Sequence, residues 1–356
     1  MTGAEGTLPG PSEGTLPAPA PAEAAKSVAR RLSSGWRVVA AKEFADHIHS
    51  LRFAILFVVL GLAAVVPLYF VSDTLRSVAS QASGTQAIFL ALFVAYYSPA
   101  SGVAIPPVYG FVGIVAPLLG VAFSFDAINA ERAEGTLPRL LSQPIHRDDV
   151  IVGKFVAGLA VIMLVLVSVV LVISGFGIFR LGIVPEPEAV LRVIAWLGFT
   201  IIWVSLWLAF GLLLSVVIRR AATAALAGFG VWVLLQVFGQ VLVGLVAGIV
   251  APYATAASAQ EQIDLKNLSD AITRIVPLTL YQEGSSVILN PTVTTVSTPA
   301  TLGQLAQYAY QHQIPQLLGL DQSLLLVWPH IVALVTLTLG CFALAFVRFM
   351  RQEVRA

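Results

Sequence analysis

Between Asp126 and Lys154 the chain reads DAINAERAEGTLPRLLSQPIHRDDVIVGK, the densest run of ionisable side chains between two long apolar segments. Thr136 is placed to cap a helix whose first turn holds Pro138, where a missing N–H costs nothing. Leu137, Leu140, Leu141 and Ile145 then recur at helical spacing until Pro144 breaks the ladder. The chemistry on offer is recognition. A short amphipathic helix carries a leucine patch, with Asp126, Glu131, Arg132 and Glu134 before it and Arg139, Arg147, Asp148, Asp149 and Lys154 after it. A leucine patch framed by charges receives a partner; it does not transform a substrate.

Catalytic residues are not suggested anywhere. No G-x-x-x-x-G-K-[ST] phosphate loop occurs, so ATP hydrolysis must come from another chain if it is used. No H-E-x-x-H, paired cysteines or Ser/His/Asp constellation points to catalysis or a metal. His47 and His49 point to different faces of a helix and lack a third partner, so they read as interfacial polar residues. The single cysteine, Cys341, lies in an apolar run and reads as a small packing residue. Within the apolar stretches the mild polarity is Gln236 and Gln240, four apart and so on one face, and Trp203 and Trp207, likewise paired. Both pairs fit a substrate path, and equally interhelical hydrogen bonds for the glutamines and packing or interface anchoring for the tryptophans.

These groups must be positioned by membrane-spanning helices. With 58% hydrophobic and only 11% charged residues, the composition lies far from the roughly 25% charge of soluble domains. Basic residues are scattered by loop and form no aromatic-lined patch, so no nucleic-acid partner is expected. The fold expected is an all-α integral membrane protein with six transmembrane helices, at about 53–70, 103–125, 150–176, 190–217, 222–250 and 323–346. Residues 251–322 would form an external cap, in which Ser269 or Asp270 caps a helix, Pro277 interrupts it, and Asn290 to Thr301 make a surface loop with strand character. Gln86 to Tyr97 rises only about 18 Å as a helix and reads as interfacial or re-entrant. Counting it as a span would put the arginines of the 126–154 loop and of the C-terminus outside, against the positive-inside rule. With six spans, both termini lie in the cytoplasm.

Residues 1–33 are rich in Pro, Ala, Gly and Ser and are expected to be a disordered cytoplasmic tail. No basic region precedes a short apolar core there, so the stretch does not read as a signal peptide. Trp36 to Leu51 shows a loose helical period against Lys42, Glu43, Asp46 and His47, which suits a helix lying in the interface. The pentapeptide EGTLP occurs at Glu5 to Pro9, at Glu13 to Pro17 and again at Glu134 to Pro138. The tail copies read as low-complexity sequence or as weak competitors of the loop.

Glu131-Arg132-x-Glu134-Gly135-Thr136-Leu137, then Leu140-Leu141-Ser142-x-Pro144-Ile145-x-Arg147 and Gly153-Lys154, resembles the signature loop of ABC-2 type exporter permeases. Within that group it is most similar to permeases linked to copper-enzyme maturation. The motif spans about a tenth of the chain, and Ala133 stands where the family often has another charge. The resemblance implies a loop between the second and third spans whose coupling helix sits in a groove of a cytoplasmic ATPase subunit, with Glu131, Arg132, Glu134, Gly135, Thr136, Leu137, Leu140, Leu141, Pro144 and Arg147 at that contact. It implies an N-terminal elbow helix, a homodimer in the inner or plasma membrane, two ATPase copies, and ATP with Mg bound by the ATPase and no cofactor bound by this chain. The spans hold no Asp, Glu or Lys near their middles, where ion-coupled transporters place ionisable groups. An ion-coupled carrier or channel, or a membrane assembly scaffold, is the alternative class.

Overall fold

A bilayer core asks about 20 consecutive apolar residues of a helix, and it forces every backbone polar group to find an internal partner. The long apolar stretches of this chain answer with helices. The computed structural model describes Gly3 and residues 35–79, 85–94, 107–136, 146–182, 184–252, 258–291 and 318–351. In chain order the helices are α1 (Gly35–Ile48), α2 (Leu51–Ala79), α3 (Thr85–Val94), α4 (Val108–Ala122), α5 (Asn129–Ala133), α6 (Arg147–Leu181), α7 (Pro187–Val217), α8 (Ala221–Val250), α9 (Ala259–Thr273), α10 (Pro277–Leu289) and α11 (Leu320–Met350). No strand occurs among the described residues.

Among the described residues five helices are long and apolar enough to cross a membrane, lying in α2, α6, α7, α8 and α11. The sixth span expected, 103–125, is represented by α4, whose 15 residues are all apolar or small. At 1.5 Å per residue α4 rises only about 22 Å. The chain leaves it through turns over 123–128.

The centre of the bundle is α7, which packs on α4, α6, α10 and α11 and buries Trp196, Phe199, Trp203 and Trp207. Trp203 donates to Gly113 O at 3.0 Å. Close approach of α4 to α7 depends on Gly120. A Cβ there would lie 2.7 Å from Leu208 N and 2.8 Å from Val204 O, both backbone atoms that cannot swing away. Helix α8 carries two pairs of small residues four apart, Ala224 with Gly228 and Gly244 with Gly248; Ala224 is fully buried, and a Cβ at Gly228 would meet Val121 Cγ1 at 2.7 Å, so the first pair packs within the chain. Gly244 and Gly248 face open space. A π-turn, Leu234–Phe238, interrupts α8, and most of its large apolar side chains face outward.

Of Gln86 to Tyr97 the described part lies in α3, as short as expected, with Phe89, Leu90, Leu92 and Phe93 buried. The stretch expected as a cap differs from the sequence expectation. Within it, α9 starts at Ser258, whose Oγ accepts from Glu261 N–H at 3.2 Å; neither Ser269 nor Asp270 is its cap. Pro277 opens a new helix at its first turn, and α10 is buried in the bundle from Leu278 to Leu289, apart from half-buried Leu280 and Gln282. Two glycines make room for it: Gly113 lies against the Tyr281 ring and Gly284 against Phe199, each at distances too short for a Cβ. The polar groups that α10 carries inward are paired, with Trp196 Nε1 donating to Ser285 Oγ at 3.1 Å and Tyr281 Oη bonded to Thr200 Oγ1 at 3.1 Å. Beyond Pro291 the loop expected to Thr301 lies outside the described residues.

The contact at Gly120 yields a test. Gly120→Val should destabilise the folded chain by about 1–3 kcal/mol through overpacking, whereas Gly61→Ala, in open space on α2, should stay within about 0.5 kcal/mol. Thermal unfolding of both variants in lipid nanodiscs checks the contrast.

Candidate functional site

The charged loop is held at one end of the bundle by a buried ammonium. Lys154, in the second turn of α6, is 6% exposed and lies 2.9 Å from Glu43 Oε1 and 2.8 Å from Glu131 Oε1. One cation thereby ties α1, α5 and α6 together. Burial alone would raise the Glu43 pKa, but Lys154 and then Lys42 outweigh it and hold the carboxyl below its ordinary value. Lys42 lies 3.3 Å from Glu43 and 3.2 Å from Asp46 at the rim. The residue before Lys154 explains its neighbour in the motif. A Cβ at Gly153 would sit 2.8 Å from Trp36 O and 2.7 Å from Val39 Cβ, so only glycine lets α1 lie close enough for Glu43 to reach Lys154.

The start of the signature is a helix and its terminator. After Asn129–Ala133, Gly135 adopts φ +67°, Thr136 N–H bonds to Glu131 O at 3.0 Å and Gly135 N–H to Arg132 O at 3.3 Å. These are the two bonds of a Schellman closure, with glycine at its left-handed position. Thr136 Oγ1 donates back to Glu131 O at 3.2 Å, so its hydroxyl closes the preceding helix. The helix it was expected to open, with Leu137, Leu140, Leu141 and Pro144, lies outside the described residues. The loop is also sewn to the far end of α7. Ser215 Oγ accepts from Ile128 N–H at 2.9 Å and from Asn129 N–H at 3.2 Å, and Asn129 Nδ2 donates to Phe125 O and Ile218 O. Arg52 of α2 pairs with Asp126. Glu134, Gly135 and Thr136 are exposed, and Arg147 opens α6. His47 stays apart from any such cluster: its ring meets Phe123 edge-on at 5.1 Å, and burial pushes its pKa down.

The opposite end of the bundle holds polar groups that sequence spacing did not bring together. Arg192 of α7 is 0% exposed. Its five N–H donors are all used, by Glu188 Oε1 twice, Ile288 O, Ser323 Oγ and Leu318 O. Glu283 of α10 accepts from Arg274 Nε at 2.8 Å and lies 2.9 Å from His330 Nε2 of α11. His330 is ten residues into α11, about 15 Å along the helix. Only the i, i+4 spacing of Glu188 and Arg192 was a signal in the sequence; Glu283 and His330 are 47 residues apart. Gln236 and Gln240 are divided in environment. Gln236, in the π-turn, is 5% exposed with neither amide atom bonded, whereas Gln240 is exposed and donates to Gln282 Oε1 at 2.8 Å. Among the described residues no three His, Cys, Asp or Glu side chains form a group that could hold a metal.

Long apolar helices, with a charged loop anchored at one end of their bundle, define a multi-span helical membrane protein. The family profile "ABC-2 family transporter protein" matches residues 37–354, and the chain belongs to that family. It is also similar to the probable ABC transporter permease protein NosY of Stutzerimonas stutzeri, at 35% identity over 139 residues. That match covers 36% of this chain and 47% of the relative, about half its length.

Removing the ammonium would strand two carboxylates. Lys154→Met should destabilise the chain by about 3–5 kcal/mol, and Glu43→Gln with Glu131→Gln in the same variant should recover most of it. Because the folded Glu43 pKa lies below its ordinary value near 4.5, its contribution is fully present above that value and lost as pH falls through the folded one. Melting of wild type and Glu43→Gln should therefore differ at neutral pH and converge in acid; a constant difference would refute the assignment.

Proposed function

We propose that this chain is the permease subunit of an ATP-driven exporter, acting as a homodimer in the inner or plasma membrane with both termini in the cytoplasm. A separate cytoplasmic ATPase subunit hydrolyses ATP with Mg, and this chain performs no catalysis itself. The observation that carries the proposal is the buried Lys154 bridging Glu43 and Glu131. It welds the loop that bears the signature to α6 and to α1, which acts as the elbow helix, so a push on the loop is delivered to a long apolar helix and not absorbed locally.

In this account the segment 137–145 is the coupling helix. Leu137, Leu140 and Leu141 fill the ATPase groove, Glu131, Arg132, Glu134 and Arg147 frame it, and Gly135 with Thr136 sets the exit angle of the chain. The substrate path runs along α8 by Gln236 and Gln240. Membership of the ABC-2 family and the likeness to an ABC transporter permease support the ATPase partner.

A second account, ion coupling, draws on one observation, the Glu283 and His330 pair inside the bundle. Arg274 already compensates that carboxylate, which favours a structural pair. Transport in sealed vesicles separates the two: dependence on internal ATP with no response to an imposed proton gradient supports the exporter, and the reverse result overturns it.

For docking, Leu140→Asp should reduce recovery of a co-expressed ABC ATPase in pull-downs by about 30-fold, equivalent to about 2 kcal/mol, while membrane insertion is unchanged. Glu134→Ala, an exposed charge, should change recovery by less than about five-fold. Full recovery with Leu140→Asp would remove the coupling role from this segment.

A further inference from the structure

At the end of the bundle away from the signature loop, a cavity of about 500 Å³ opens between α8, α9 and α10. That is the size of a small-molecule site. Its α8 wall is Gln240, Val243, Gly244, Ala247 and Gly248. A Cβ at Gly244 or Gly248 would meet nothing within 4 Å, so this wall is a flat apolar strip with free space above it. Facing the strip are Ser269 and Thr273 of α9 and Thr279 and Gln282 of α10.

The charges of the cavity are closed on one another. Lys266 pairs with Asp270 one turn along α9, and Glu283 pairs with Arg274 at 2.8 Å. An ionic ligand would have to break one of these pairs, whereas a neutral one need not. The Gln240 to Gln282 bond uses one amide N–H and one amide oxygen, leaving Gln240 Oε1 to accept and Gln282 Nε2 to donate. Outside the lining, one turn before Gln240 on α8, Gln236 is buried with both amide atoms unbonded in a π-turn, a distortion that recurs at functional sites. Flat apolar strip, amides and hydroxyls together suit a ring that is apolar on its faces and hydroxylated at its edge.

We propose that this cavity binds a neutral, polyhydroxylated ring of sugar type, free or carried on a lipid, stacked on the Gly244 and Gly248 strip and hydrogen-bonded by Gln240 and Gln282. The site deepens the substrate path along Gln236 and Gln240 and rests on it. Binding is read without any ATPase, so a failure here leaves ATP coupling standing, and a failure of coupling leaves this site standing.

The test uses the full chain in phosphatidylcholine nanodiscs, with Cys341→Ala removing the native thiol and Gly248→Cys placing one in the open space of the strip. The introduced thiol should react with a water-soluble maleimide. Either free maltose or monoglucosyl diacylglycerol in the nanodisc should slow labelling by about ten-fold at about ten times its half-saturating level, and which of them does so identifies the free or lipid-borne source. Protection should vanish in Gln240→Leu with Gln282→Leu, provided elution and melting show that variant folded; Gln240→Glu serves as a milder replacement if it is not. No labelling of the folded protein, no protection by either sugar, or equal protection by glutamate or spermidine would overturn the proposal.

Discussion

An ammonium removed from water must be matched by carboxylates, and the loop end of this protein is arranged around one such requirement. Lys154 is inside the protein, and Glu43 and Glu131 come to it from separate helices to compensate its charge. The surrounding features follow from keeping that contact. Gly153 lets α1 lie flat on α6; Gly135 ends α5 so that Glu131 keeps its direction; Ser215 and Asn129 satisfy the backbone where the loop passes the end of α7. The Gly-Lys and Glu-Arg-x-Glu-Gly-Thr elements of the signature, at opposite ends of the loop in sequence, are thus parts of one contact.

The helices were legible in the sequence because each long apolar run is its own evidence. What spacing could not convey was which polar residues of the connections go inside. Glu283 and Tyr281 read as a cap because the segment 251–322 is less apolar than the spans, yet α10 carries an apolar stripe and enters the bundle with Tyr281, Glu283 and Ser285 each matched to a partner on another element. Such matching is a property of two distant segments together, and neither shows it alone. Thr136 departs from expectation for a local reason: a threonine beside a glycine in the left-handed conformation can close the helix behind it as readily as open the one ahead. The charged loop itself was legible, since ionisable residues are too costly to place in lipid and therefore mark where the chain leaves the bilayer between two apolar runs.

The two ends of the protein are joined by α7. Arg192 locks its start to α10 and α11, and Ser215, near its finish, holds the loop. The stretch from one to the other makes about 34 Å of helix, flanked by buried tryptophans that leave little room for sliding. Such a rod transmits displacement but supplies no second arrangement of its own, and coupling between distant sites requires an element with two. Among the described helices, α8 combines a largely outward-facing surface with a π-turn, Leu234–Phe238, in its hydrogen-bond ladder. A π-turn closes its hydrogen bond one residue later than the α-ladder, so its movement or loss rotates everything beyond it relative to everything before it. Beyond it lie Gln240, Gly244 and Gly248, while before it Ala224 and Gly228 are fixed within the bundle. The π-turn thus divides α8 into a packed half and a cavity-lining half, with the unbonded amide of Gln236 at the point of change.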